Sequence, residues 1–317
     1  MSRVLFSAFA VGLVLTAFAH AAGTGAQSGE RSAFDREENA LLYQISGASL
    51  VEERIQSRLA LGRFYMGREL YVEALAALAA DEGGPGADEA SLMVARAQYG
   101  LGRYATVLRT LDDERLRMTP EGAALRAMSL TELGAFKAAA GEFELAKPPA
   151  SATPEFLVDF HVLASAAALE TGDSDRARAG MAAAQALRIE SASAELALAS
   201  AEIMLKSGER GAREAMRTLM KSPDPRVSAL AELHLVAEDA RTGAASRRRA
   251  SAELAALRHK WSGGAFDREL QTAAAAFIPE DEIIDRMNAL RLLAHNHPHS
   301  DAAAQAKQDL AAASECG

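Results

Sequence analysis

An all-α fold, a right-handed α-solenoid of helix–turn–helix pairs with a C-terminal helical extension, is what this sequence predicts, and three observations predict it. The 317 residues are 49% apolar but only 5% aromatic, so the core is built largely from Ala and Leu. Alanine is the best helix former and loses no side-chain entropy on burial. A glycine followed two residues later by an aromatic, with a small or β-branched residue three further on, recurs as Gly102-Arg103-Tyr104 with Val107 and as Gly134-Ala135-Phe136 with Ala139. Glycines at 102, 134, 172 and 208 fall 32, 38 and 36 residues apart, the length of one helix–turn–helix unit. Two helices joined by such a turn cannot bury their apolar faces alone, so neighbouring pairs must share a core.

The N-terminus is read apart from that fold. Arg3 is followed by an uncharged apolar run from Val4 to Phe18, and Ala19-His20-Ala21 supplies small residues at the positions a signal peptidase reads. This predicts a secretory signal over 1–21, cleaved after about Ala21, and a periplasmic or secreted protein. The competing reading is an uncleaved anchor, for which the run is short of the roughly 20 residues that span a bilayer. No cysteine follows the run, so no lipid anchor is expected. Loss of Arg3 takes the net charge from −9 to −10. That acidity argues against nucleic acid and anionic membranes as principal partners. The single cysteine, Cys316, excludes a disulfide framework, and an inert exposed thiol is favoured over a chain-to-chain cross-link.

Taken in order, residues 22–33 read as a Gly/Ser-rich linker, and Phe34 to Gln44 as a short helix capping the open end of the stack. Ile55, Leu59, Gly62 and Tyr65 form one helical stripe and Leu70, Ala74, Leu75 and Leu78 the next, which makes the first pair. Glu82-Gly83-Gly84-Pro85-Gly86 breaks it. The second pair runs from Asp88 to Leu116, the third from Pro120 to Ala146, the fourth from Pro154 to Leu187 and the fifth from Ser193 to Lys221. Pro120 suits a first helical turn, and Pro148-Pro149 and Pro223-Asp224-Pro225 close their pairs. Residues 226–317 then read as the extension, with helices over Val227–Arg241, Arg247–Trp261, Phe266–Phe277, Asp281–His295 and Asp301–Ala313, the last capped by Ser300. This tail is expected to extend or cap the array.

The first three pairs resemble tetratricopeptide repeats. Gly62, Tyr65, Tyr71, Ala74 and Leu78 stand at the small, aromatic, aromatic, small and large positions of that repeat. Ala95, Gly102, Tyr104 and Leu111 do so in the second pair, and Ala127, Gly134, Phe136, Ala139, Phe143 and Ala146 in the third. The fourth and fifth pairs keep the turn glycine, and the fourth a small residue at Ala177, but both lose the aromatics. The resemblance covers Leu50 to Lys221, and it implies a superhelix that binds protein partners. Leu257-Arg258-His259-Lys260-Trp261 with the later Leu-rich helices is also similar to a group of secreted helical-repeat proteins from alphaproteobacteria, although Gly263-Gly264 departs from the charged turn of that group.

Candidate sites are sparse. His295-Asn296-His297-Pro298-His299 is the one cluster of metal-type ligands. No carboxylate or thiol completes it at helix spacing, so a solvated loop is the preferred reading and neither metal nor cofactor is expected. Arg247, Arg248 and Arg249 with Arg258, His259 and Lys260 form the one basic concentration, and Trp261 beside them is the only tryptophan. Together they are the candidate partner surface, weighed against a solvated helix face and a half-buried packing role. No nucleophile elbow, paired metal histidines, C-x-x-C or phosphate loop occurs. The expected function is a non-enzymatic periplasmic scaffold or adaptor in an envelope protein complex, a flagellar motor accessory being one such layout. The alternative is a superhelical peptidoglycan-remodelling protein related to lytic transglycosylases. Glu190-Ser191 is the only echo of their catalytic start, and it falls between helices of the repeat region.

Overall fold

The computed structural model describes residues 24–79, 86–149, 152–279 and 281–315. The stretch expected as a signal sequence, the break at Gly83-Gly84-Pro85 and Cys316 lie outside the described residues. Those described form seventeen α-helices and one 3₁₀ turn, with no strand among them. The chain divides into two compact units at Leu125/Arg126.

In the first unit, α1 (Thr24–Gly47), α2 (Val51–Met66), α3 (Tyr71–Leu78), α4 (Ala87–Gly100), α5 (Tyr104–Thr110) and α6 (Glu114–Arg117) follow one another, and α7 (Pro120–Glu132) begins there. Each helix from α1 to α5 packs on the next, and α2 meets α4 as α4 meets α6. The stretch expected as a linker is helical from Thr24 onward. It contains no proline, and Phe34, Leu41 and Ile45 further along pack against Phe64 and Tyr65, so an anchored helix propagates back through it. The Phe34 and Phe64 rings lie 5.1 Å apart, and the Arg68 guanidinium sits 3.9 Å above Phe64. The Tyr65 hydroxyl donates to Glu38 at 2.6 Å. Burial and that carboxylate push the hydroxyl up to about 12.

Close approach fixes the helix pairing. A side chain on Gly62 would sit 2.9 Å from Met93 and 3.0 Å from Leu78, while Ala74 and Ala95 are fully buried. Tyr71 is half-buried with its ring over Gly100, where an added Cβ would lie 2.5 Å away.

The second unit takes the end of α7 and continues through α8 (Phe136–Leu145), α9 (Pro154–Glu170), α10 (Ser174–Ala186), α11 (Ser193–Lys206), α12 (Ala212–Leu219), α13 (Pro225–Arg241), α14 (Arg247–Leu257), α15 (Gly264–Phe277), α16 (Ile283–Asn296) and α17 (Asp301–Glu315). From α8 onward every helix packs on its successor, and α9, α11, α13 and α15 also pack on one another in that order. Local chemistry sets the starts. Thr153, Asp173, Asp224, Ser246 and Ser300 each accept a backbone N–H from the first turn of the helix that follows. Gly102, Gly134, Gly172 and Gly208 end theirs at φ of 68°, 77°, 88° and 67°, where a side chain is strained. Met216, Val227, Leu233, Leu254, Leu257 and Phe266 centre the largest apolar cluster. Ala127, Ala139 and Phe143 are buried, and Phe136 is half-buried.

The C-terminal helices do not simply run on; they return to the third pair. The Asp301 backbone N–H donates to the Gly134 carbonyl at 2.9 Å. The Asp301 carboxylate accepts the Lys137 N–H at 3.0 Å, capping α8 from 164 residues away. Arg268 on α15 donates to the Glu132 carbonyl. The turn at Gly134 is thereby clasped to α15 and to the start of α17.

Candidate functional site

The first helix of each successive pair in the second unit carries charge on a face that the neighbouring helices share. Glu132 comes from α7, Asp159 from α9, Glu195, Glu202 and Lys206 from α11, Arg226 and His234 from α13, and Arg268 and Glu269 from α15. In sequence each looks like an ordinary solvated helix residue. The available signal was the apolar bracketing, as in Val158-Asp159-Phe160 and Ala201-Glu202-Ile203, which shows the charge lying between core positions.

Arg226 pairs with Glu195, each side chain about a third open to solvent. Lys206 pairs with Glu202 at 3.1 Å and with Glu170. His234 stands between two carboxylates, its Nε2 3.5 Å from Glu269 and 3.9 Å from Glu202. Arg268 is buried, with its Nη2 3.8 Å from Glu269. Among the described residues, the carboxylates of Glu132 and Asp159 make neither an ion pair nor a hydrogen bond.

Burial and like charge raise three of these acids. Asp159 is pushed up to about 7 by burial, with Glu195 and Glu132 adding to it and Arg226 opposing. Burial raises Glu132 against the pull of Arg268 and Arg226. Burial also raises Glu269, Glu202 adding and His234 opposing. Burial acts the same way on Glu202, but His234, Lys206 and Arg268 outweigh it and hold that carboxyl below its ordinary value. Burial works against the charge of Lys206, yet Glu202 and Glu170 keep the ammonium above its usual range. This is a mixed wall with acids in excess, suited to meeting a cationic group or to storing protons.

The residues singled out from the sequence fall elsewhere. Arg247, Arg248, Arg249, Arg258, His259 and Lys260 are exposed, but much of their charge is already compensated. Arg248 meets Asp281 at 3.1 Å, Arg249 meets Glu253 at 2.8 Å, and Lys260 pairs with Glu232. Trp261 is half-buried against the large core cluster. The histidine run is a helix end: His295 and His299 are exposed, while His297 is half-buried, its carbonyl accepting from Ser300. Burial and nearby Arg268 hold His297 below its ordinary value, Asp267 opposing. No group of three metal-type ligands comes together among the described residues. No described helix is long and apolar enough to cross a membrane. In the first unit an open hollow of ≈ 340 Å³ lies between Tyr43, Gln44, Gly47, Ala48, Glu53 and Ser57, with exposed Leu42, Leu50 and Val51 close by in sequence. The chain matches no protein-family model, and comparison with curated proteins finds no match either.

Proposed function

We propose that this protein is a non-enzymatic scaffold of the cell envelope, a right-handed solenoid of tetratricopeptide-like helix pairs that holds a segment of a protein partner. Neighbour-on-neighbour packing of the helix pairs supports the solenoid reading. The observation that carries the binding reading is the charged wall contributed by α7, α9, α11, α13 and α15. A catalytic site concentrates two or three groups, whereas these spread over five helices and offer contacts in series to an extended chain or a helix. The excess of carboxylates suits a segment bearing Lys or Arg, and the dispersal suits many weak contacts over one strong one. The protein acts in the periplasm after loss of its signal sequence, and an accessory role at a flagellar motor is one assignment consistent with this layout.

The test is in-cell cross-linking of the mature chain, tagged next to α1, followed by recovery of the bound species. Capture of one envelope complex supports the scaffold. Turnover of purified peptidoglycan by the protein alone, or capture of glycan fragments without protein, would favour the wall-remodelling alternative. Deleting the protein and observing assembled but non-rotating flagella would assign the motor.

A further inference from the structure

The turn that joins α1 to α2 in the first unit gathers apolar side chains at the surface. Leu42, Tyr43, Leu50 and Val51 are all exposed within ten positions of one another. Val72, Met118 and Leu145 are exposed singly, as surface hydrophobics ordinarily are. The Tyr43 ring is the extreme case at 79% exposed, although an aromatic side chain gains more from burial than most.

Beside that ring lies its complement. The open hollow of ≈ 340 Å³ is lined by Tyr43, Gln44, Gly47 and Ala48 on one side and by Glu53 and Ser57 of α2 on the other. It holds the volume of about ten waters, enough for one aromatic side chain. Leu50 and Val51 stand in the chain between two of its lining residues, Ala48 and Glu53. The same place carries one charge of each sign. The Glu53 carboxylate accepts the Leu50 N–H at 3.4 Å, and Arg54 donates to the Ala48 carbonyl at 3.4 Å. Among the described residues neither Glu53 nor Arg54 forms an ion pair.

We propose that this face is a two-fold interface between two copies of this chain, each Tyr43 ring seated in the other copy's hollow. An isologous contact requires a patch complementary to itself. Here a projecting ring adjoins a hole, and an unpaired carboxylate adjoins an unpaired guanidinium. The two-fold axis that exchanges the rings sets Glu53 against Arg54 of the partner subunit, twice over. At their exposures the four apolar side chains present on the order of 400 Å², the size at which a patch marks an interaction site. That area suits the centre of an interface of roughly 800 Å² per copy with a polar rim. The contact uses residues of the first unit only, so it stands whether or not the charged wall of the second unit binds a protein segment.

Sedimentation equilibrium on the mature chain, at micromolar concentrations and above, tests this. The parent should be a dimer. Tyr43→Ala deletes both exchanged rings and should raise the dissociation constant at least about 100-fold. Its circular dichroism should match the parent's, because the ring is exposed in the single copy. Glu53→Arg and Arg54→Glu should each be monomeric alone, since each sets like charges opposite one another at two symmetric places. Mixed in equal amounts they should form a mixed dimer, one copy then offering two guanidinium groups to two carboxylates of the other. Val72→Ala, outside the patch, should leave the dissociation constant within about twofold of the parent's. A parent that stays monomeric would overturn the proposal and leave the hollow to a different protein. So would a dimer indifferent to Tyr43→Ala, or folded charge variants that fail to associate on mixing.

Discussion

Replacing Gly134 by alanine separates two reasons for a turn glycine that sequence alone merges. Gly134, Gly172 and Gly208 occupy equivalent turns at φ of 77°, 88° and 67°. Alanine at any of them incurs left-handed strain of about 1–2 kcal/mol. Around Gly172 and Gly208 a new Cβ meets nothing within 4 Å. At Gly134 it would lie 2.7 Å from Cδ and 2.8 Å from Nε of Arg268, and 3.2 Å from Cβ of Ser300. Arg268 is buried against its neighbours, so it gives way only by dropping its bond to the Glu132 carbonyl, a charged hydrogen bond worth about 1.5–3 kcal/mol. The expected loss is therefore about 3–5 kcal/mol for Gly134→Ala against about 1–2 kcal/mol for Gly172→Ala and Gly208→Ala. Urea titration followed by circular dichroism measures all three on one scale. Equal losses would refute the reasoning, because the clasp would then contribute nothing.

Three further outcomes follow from the same geometry. Arg126 and Glu142 pair at 3.2 Å with side chains only 12% and 8% exposed. Glu142→Ala should therefore cost about 3 kcal/mol by taking a close carboxylate from a buried guanidinium, and Arg126→Met with Glu142→Leu should cost much less, as a double-mutant denaturation series would reveal. Gly100→Ala gives helix propensity of up to about 1 kcal/mol but drives a Cβ into the Tyr71 ring. The net should be destabilising by about 1–3 kcal/mol, and a rise in the urea midpoint would mean that the ring swings aside. Arg248→Ala removes an exposed pair with Asp281, so its stability should stay within about 0.5 kcal/mol of the parent.

Much of the fold was legible because it is written locally. Proline at a first turn, Ser, Thr or Asp as cap, and glycine at positive φ act within four residues, so the limits of α9, α11, α13 and the three C-terminal helices could be read to within a few residues. The helical start at Thr24 was not legible, since Gly and Ser there have weak propensity and the stabilising contact comes from Phe64 and Tyr65 downstream. The Gly134–Asp301 clasp was invisible for a stronger reason: its partners lie 164 or more residues apart with no local signature. The inner charged wall escaped because a carboxylate on a helix looks the same whether it faces water or four other helices. The basic run at Arg247–Arg249 drew notice by density alone, and density does not report that Asp281 and Glu253 already answer it.

The most direct test of the scaffold reading is site-specific photo-cross-linking in cells. One probe replaces Glu269 on the inner wall, and another replaces Arg217 on the exposed face of α12. The account predicts that the probe at 269 captures a single envelope protein, that the probe at 217 captures none or far less, and that Arg268→Ala alters the first yield. Equal capture from both positions, or capture from 217 alone, would contradict it.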